Sequence, residues 1–158
     1  MFRKMRRSGQ QVSADECRRV LKEAGRGVLS VNGDDGYPYG MPVNFYYDEA
    51  EDAVYIHGAM RGHRADSIRR SDKVCFTVWD DGYREEGDWA WYVTSVIVFG
   101  RAEPVDDTGS VMDKVRALGM KYYPTAGEVE DGIREDVGKV QVVRIRVESM
   151  TGKLIHEK

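Results

Sequence analysis

Met41-Pro42-Val43-Asn44-Phe45-Tyr46-Tyr47 and Ala53-Val54-Tyr55-Ile56-His57 are two alternating runs separated by a polar turn at 49–52. In the first, Met41, Val43, Phe45 and Tyr47 share one face, and Pro42, Asn44 and Tyr46 the other. In the second, Val54 and Ile56 oppose Tyr55 and His57. A period of two puts successive side chains on opposite faces of a strand, so the pair reads as a hairpin. The pattern extends outward on both sides. Residues 27–31 form a strand that turns through Asn32-Gly33-Asp34-Asp35-Gly36 into the 41–47 strand. Pro38 and Pro42 donate no backbone hydrogen bond and suit an edge or a bulge. Residues 73–79 are a fourth strand, with Val74, Phe76 and Val78 on one face. Residues 89–102 are the longest strand. Val143, Ile145 and Val147 alternate in a final one.

Helical signals flank these strands. Ser13 with Glu16 is a capping box, and Cys17, Val20, Leu21 and Ala24 follow at helical spacing until Gly25 stops the run. A short polar helix is expected from about 63 to 70, and Val111, Met112, Val115, Leu118 and Gly119 mark another. The stretch 123–138, with its proline, glycines and acids, reads as irregular. Strands and helices do not alternate regularly, which disfavours a doubly wound fold. The expectation is a mainly β chain: an antiparallel β-barrel of about six strands with flanking helices, one domain over 1–158 with a basic arm at 1–12.

Composition narrows the function classes. The 158 residues carry a net charge of −3, with 41% hydrophobic and 32% charged residues, which fits a globular chain and argues against a general nucleic-acid binder. Cys17 and Cys75 are too few for a disulfide framework and lack Cys-x-x-Cys spacing, so two reduced, mostly buried thiols are expected. No apolar run approaches the roughly 18 residues that span a bilayer. Arg3, Lys4, Arg6 and Arg7 precede a polar stretch, not an apolar one, so no signal peptide is expected and the compartment reads as the cytoplasm. The basic arm is expected to be solvated or to meet a partner subunit. The acids between 80 and 88 read as a solvated loop.

The segment Tyr55-Ile56-His57-Gly58-Ala59-Met60-Arg61-Gly62-His63-Arg64 carries the most chemistry. It joins a strand end to a helix start, where free N–H groups and partial positive charge suit a phosphate. Gly58 and Gly62 let a ligand approach the backbone. Arg61, His63 and Arg64 add cationic donors. The opposing reading is a basic surface turn. His57 and His63 have no third ligand at metal spacing, so no metal site is expected. Asn44, polar within an apolar strand, faces either a heterocycle edge or solvent. Tyr37, Tyr39, Trp79, Trp89, Trp91 and Tyr92 stack on a ring or fill a core or interface.

Gly36-Tyr37-Pro38-Tyr39, the 41–47 stretch, Tyr55-Ile56-His57-Gly58-Ala59 and Gly62-His63-Arg64 occur in order. Asp72-Lys73-Val74-Cys75-Phe76, Ser95-Val96-Ile97-Val98-Phe99-Gly100-Arg101-Ala102 and Thr151-Gly152-Lys153 follow. This ordered set resembles the pyridoxamine 5′-phosphate oxidase-related flavoproteins, most closely the branch of nitroimidazole-resistance proteins. The resemblance implies a split β-barrel homodimer holding FMN at the subunit interface. It implies that Pro42, Val43 and Asn44 line the ring edge, that Tyr55, His57, Gly58, Ala59, Gly62 and His63 surround the cofactor, and that Arg64 binds its phosphate. Ser95 and Val96 would reach the flavin from the long strand. It also implies an oxidoreductase acting on a small electron acceptor, nitroaromatics among the candidates. The C-terminal stretch 149–158 lacks the basic motif of the vitamin B6 oxidase, so that activity is not expected. A non-catalytic flavin or haem carrier or sensor is the rival reading.

Overall fold

A computed structural model describes residues 1–136 and 138–156. Its strands are β1 (Gly27–Asn32), β2 (Pro38–Val43), β3 (Tyr46–Asp48), β4 (Ala53–Ala59), β5 (Lys73–Trp79), β6 (Tyr92–Pro104) and β7 (Val140–His156). The helices are α1 (Ala14–Glu23), α2 (His63–Arg70), α3 (Thr108–Tyr122) and α4 (Ala126–Asp136). All seven strands join one sheet in the order β2-β1-β5-β6-β7-β4-β3, and every pairing is antiparallel.

The strand count corrects the sequence expectation of about six. The run read as one strand over 41–47 is two: β2 pairs with β1, and β3 pairs with β4. These are the two edges of the sheet, yet only Asn44 and Phe45 lie between them. The steps from Val43 to Tyr46 span at most roughly 11 Å. The sheet therefore curls until its edges are neighbours, and the chain rather than a hydrogen-bonded ladder bridges the split. Pro38 and Pro42 sit on the edge strand β2, where a missing donor costs nothing.

The inner face of the curled sheet is the core. Leu29, Val54, Ile56, Phe76, Val78, Val96, Val98 and Ile145 are fully buried there, joined by Phe45 from the crossover. Helix α1 closes this core with Cys17, Val20 and Leu21. Ser13 caps it, its hydroxyl accepting from the Glu16 amide at 3.2 Å. A second, smaller core forms on the other side of β4: Ala53, Tyr55 and Val142 pack with Val111 and Val115 of α3. Both cysteines are free thiols; Cys17 is buried and Cys75 half-buried.

Five further differences have local causes. Helix α4 occupies much of the stretch read as irregular, because Val129 and Ile133, one turn apart, are both buried. Strand β7 is far longer than 143–147, since its distal half pairs with β6 from Tyr92 to Phe99. Strand β6 starts at Tyr92 rather than 89, after a turn in which the Asp88 amide bonds the Glu85 carbonyl at 3.0 Å. Asp80 is no solvated acid: its Oδ1 accepts from the amides of Thr94 at 2.9 Å and Gly82 at 3.1 Å, and its Oδ2 from Arg19 at 3.2 Å. The basic arm is likewise partly tied down. The Val12 amide bonds the Gly152 carbonyl at 3.0 Å, and Phe2 stacks on Phe99 with ring centroids 5.6 Å apart. No helix among the described residues is long and apolar enough to cross a membrane.

Candidate functional site

The end of β4 and the start of α2 form one patch around Arg64. The chain turns between them through Gly62, whose φ of +109° is in the region that favours glycine. Gly62 is also the cap residue of α2, and no side chain caps that end. The first intrahelical bond runs from the Asp66 amide to the Gly62 carbonyl at 3.0 Å, so the amides of residues 63–65 precede the ladder. Arg69 braces the turn by donating to the Met60 carbonyl at 2.7 Å.

The Arg64 side chain folds back over β4. Its guanidinium donates to the carbonyls of His57 at 3.4 Å and Ala59 at 3.5 Å. Gly58 is what permits this, since a Cβ there would lie 2.8 Å from Arg64 Cζ. Arg64 is half-buried, and among the described residues no carboxylate pairs with it. Desolvation holds its pKa below the ordinary guanidinium range, and Tyr39 opposes this slightly. A half-buried cation beside an uncapped helix start is a combination that an anion would complete. His57 next to it is pushed down from the ordinary imidazole range, first by desolvation and then by the Arg64 charge. It is thus held neutral near pH 7.

His57 also borders a pocket of about 240 Å³ between β4, the crossover and the helices α3 and α4. Asn44 shares this pocket and is otherwise exposed. The crossover that carries Asn44 is fixed by Tyr122: its hydroxyl accepts from the Phe45 amide at 2.8 Å and donates to the Phe45 carbonyl at 2.9 Å. Lys121 adds a bond to the Ala24 carbonyl at 2.8 Å and sits 3.8 Å from the Phe45 ring centroid.

The structure therefore gathers Asn44, His57, Gly58, Ala59, Gly62 and Arg64 into one region, with Pro42 and Val43 just before the crossover on β2. His63 stands at its margin, stacked on Tyr39 at 4.2 Å and 3.6 Å from Asp34. Three expected residues lie elsewhere. Tyr55 is buried under α3, and its hydroxyl donates to Glu51 at 2.5 Å. Val96 is fully buried in the main core, so its side chain meets no surface ligand. Ser95 pairs with Lys153 on β7, whereas Gly58 pairs with Gln141. Those partners are twelve residues apart on one strand, roughly 40 Å of extended chain. The Ser95 side chain instead shares the outer face of the sheet with Ile97 of β6 and Trp79 of β5.

Tyr122 is the residue that the sequence reading left out of the site. Tyr39 stood among the aromatics expected to stack on a ring or fill a core or interface, and nothing local signals its stacking on His63. Among the described residues, no group of histidines, cysteines and carboxylates could hold a metal.

Comparison with known proteins agrees with this architecture. A candidate 5-nitroimidazole antibiotic resistance protein of Bacteroides thetaiotaomicron superposes with a TM-score of 0.75 at 19% identity, covering 92% of this chain and 87% of that one. A conserved hypothetical protein of Mycobacterium tuberculosis gives 0.79 at 18% identity, covering 95% and 90%. An FAD-binding protein of Mesorhizobium loti gives 0.68 at 23% identity, covering 92% and 96%. At these identities the likeness is one of fold. No curated protein matches the sequence. The family model described as pyridoxamine 5′-phosphate oxidase matches residues 13–154, nearly the whole chain, and the chain belongs to that family.

Proposed function

We propose that this chain holds FMN, with the phosphate on Arg64 and the α2 N-terminus, and that it passes electrons to a small uncharged acceptor. The observation that carries the reading is Arg64: half-buried, without a carboxylate partner among the described residues, and beside uncapped helix amides. A phosphate would supply the missing counter-charge through charge-assisted hydrogen bonds. Arg64 and the amides of residues 63–65 would anchor the cofactor, Gly58 and Gly62 would let it lie close to the backbone, and His57 with Asn44 would face its ring. The neutral state of His57 near pH 7 lets it donate or accept one hydrogen bond there without adding a second charge. A bound flavin supplies reversible two-electron chemistry, and the protein positions it and tunes its surroundings. Nitroaromatics of the 5-nitroimidazole type are the acceptors to assay first.

Ser95 fits this reading only through a second copy of the chain. Trp79, Ile97, Phe99 and Ile155 leave a broad apolar area on the outer face of β5, β6 and β7, each 39–51% exposed. Pairing two such faces would make a homodimer and bring the Ser95 of one copy towards the cofactor of the other.

The deciding experiment is an absorbance spectrum of the purified protein, before and after addition of FMN or FAD and removal of the excess. Retained bands of oxidised flavin that bleach with a reductant and return with an acceptor support the reading, and stronger retention of FMN than of FAD fixes the cofactor. A colourless protein that takes up neither flavin refutes it. A Soret band would assign haem instead.

A further inference from the structure

We infer that the pocket under α3 and α4 is a binding site for an uncharged aromatic molecule of one or two rings that carries a hydrogen-bond acceptor. As the acceptor's seat, this deepens the flavin reading and rests on it; as a binding site, it stands on its own geometry. Val115 and Leu118 of α3 and Val129 and Ile133 of α4 supply apolar walls. Their volume, about 240 Å³, lies below the roughly 300–1,000 Å³ typical of drug-sized ligands, which limits the occupant to a small ring system.

The lining also holds polar groups: Asn44, His57, Asp136 and the hydroxyl-bearing Tyr122 and Tyr123. Asn44 and His57 border the pocket where it meets the Arg64 patch. Asn44 offers an amide N–H and neutral His57 a ring N–H, so a carbonyl or nitro oxygen suits them both. Among the described residues, the lining holds one ionised group, Asp136, and no lysine or arginine, and Asp136 already pairs with Lys139 at 3.2 Å. With the Arg64 charge taken up by a phosphate, an anionic occupant would thus be desolvated without a free counter-charge. The pocket shares His57 with the Arg64 patch, so a ring seated in it lies beside whatever the patch holds.

Gly132 gives a direct test. It lines the pocket from α4, and a Cβ there meets nothing closer than the Tyr123 hydroxyl at 3.8 Å. Gly132→Leu raises helix propensity while adding bulk at the wall, so the fold is expected to survive. The probe is 2-naphthol, titrated by fluorescence into the protein as purified and into protein saturated with FMN. Saturable one-to-one binding in both is expected, at least tenfold weaker in Gly132→Leu and, in the FMN-saturated protein, at least tenfold weaker for 2-naphthoate. Methyl resonances of Val115, Val129 and Ile133 should move on addition of the probe, and this holds whether or not the variant folds. Absence of saturable binding, shifts confined to other methyls, or unaltered affinity in a variant with a wild-type melting curve would each overturn the proposal. Binding lost on FMN saturation would also overturn it, because the pocket would then house the flavin ring. If the protein takes up no flavin, the preceding reading fails, and the naphthol titration still decides the pocket.

Discussion

Gly58 and Arg64 act as a pair: the missing side chain of one makes room for the guanidinium of the other. The resulting cation is held by two carbonyls at 3.4 and 3.5 Å, long contacts that a phosphate would readily replace or supplement. Arg64→Ala is therefore expected to weaken FMN binding by about 1.5–3 kcal/mol, roughly 10- to 150-fold in Kd, while leaving the melting temperature of the flavin-free protein nearly unchanged. Fluorescence titration of FMN checks this, and an unaltered Kd would remove Arg64 from the site. Lys121 poses a different residue-scale question. Desolvation takes its pKa down to about 8 from the ordinary 10.5. Between those values the unfolded chain binds more protons than the folded one, so the linkage makes stability rise with pH from about 8 to about 10.5. Lys121→Met removes that group. The melting temperature of the wild type minus that of the variant should grow across this window, and a flat difference would show that the ammonium is solvated.

At the scale of elements, the crossover between β2 and β3 decides both fold and site. Tyr122 meets the donor and the acceptor of Phe45 with one hydroxyl. Tyr122→Phe leaves both backbone groups without that partner, and a loss of about 1–3 kcal/mol in denaturant unfolding is expected. Because Asn44 precedes Phe45, the same variant should weaken binding in the adjoining pocket by more than it alters Arg64-dependent FMN binding. The crossover also marks where the sequence stopped being legible. Strands β1, β4 and β5 followed directly from their alternation. The alternation of Met41, Val43, Phe45 and Tyr47 runs unbroken through the crossover, because Phe45 points into the core although it belongs to no strand. Pattern alone could not reveal that the chain changes edges there. Helix α4 was hidden by Pro124, Gly127, Gly132 and its acids. Thr125 and Glu128 were a usable signal: the Thr125 hydroxyl accepts from the Glu128 amide at 3.3 Å and donates to its carboxylate at 2.8 Å, the Thr-x-x-Glu pattern of a capping box. The glycine-rich turn into α2 was readable from its residue types. The reach of Ser95 was not, because it depends on how far β7 extends beyond its short alternating segment.

The whole molecule presents two unfinished surfaces on different parts of the sheet, the Arg64 patch at one end of β4 and the apolar outer face of β5, β6 and β7. A dimer built on the second would give both a purpose, since Ser95 stands on that face beside Trp79 and Ile97 and is twelve β7 residues in register from the Gly58 that adjoins Arg64. Ile97 is the residue to change. It is 39% exposed, so Ile97→Glu costs the monomer little, yet placing two like charges across a paired apolar face is strongly unfavourable. Sedimentation velocity is expected to show a dimer for the wild type and a monomer for Ile97→Glu at micromolar concentration. If each cofactor takes contacts from both copies, the same variant must also lose FMN affinity, and wild-type affinity must fall on dilution below the dimer dissociation constant. Arg64→Ala separates the two effects, because it should weaken FMN binding and keep the dimer. A monomeric Ile97→Glu that still binds FMN like the wild type would confine the flavin site to a single chain and leave Ser95 outside it.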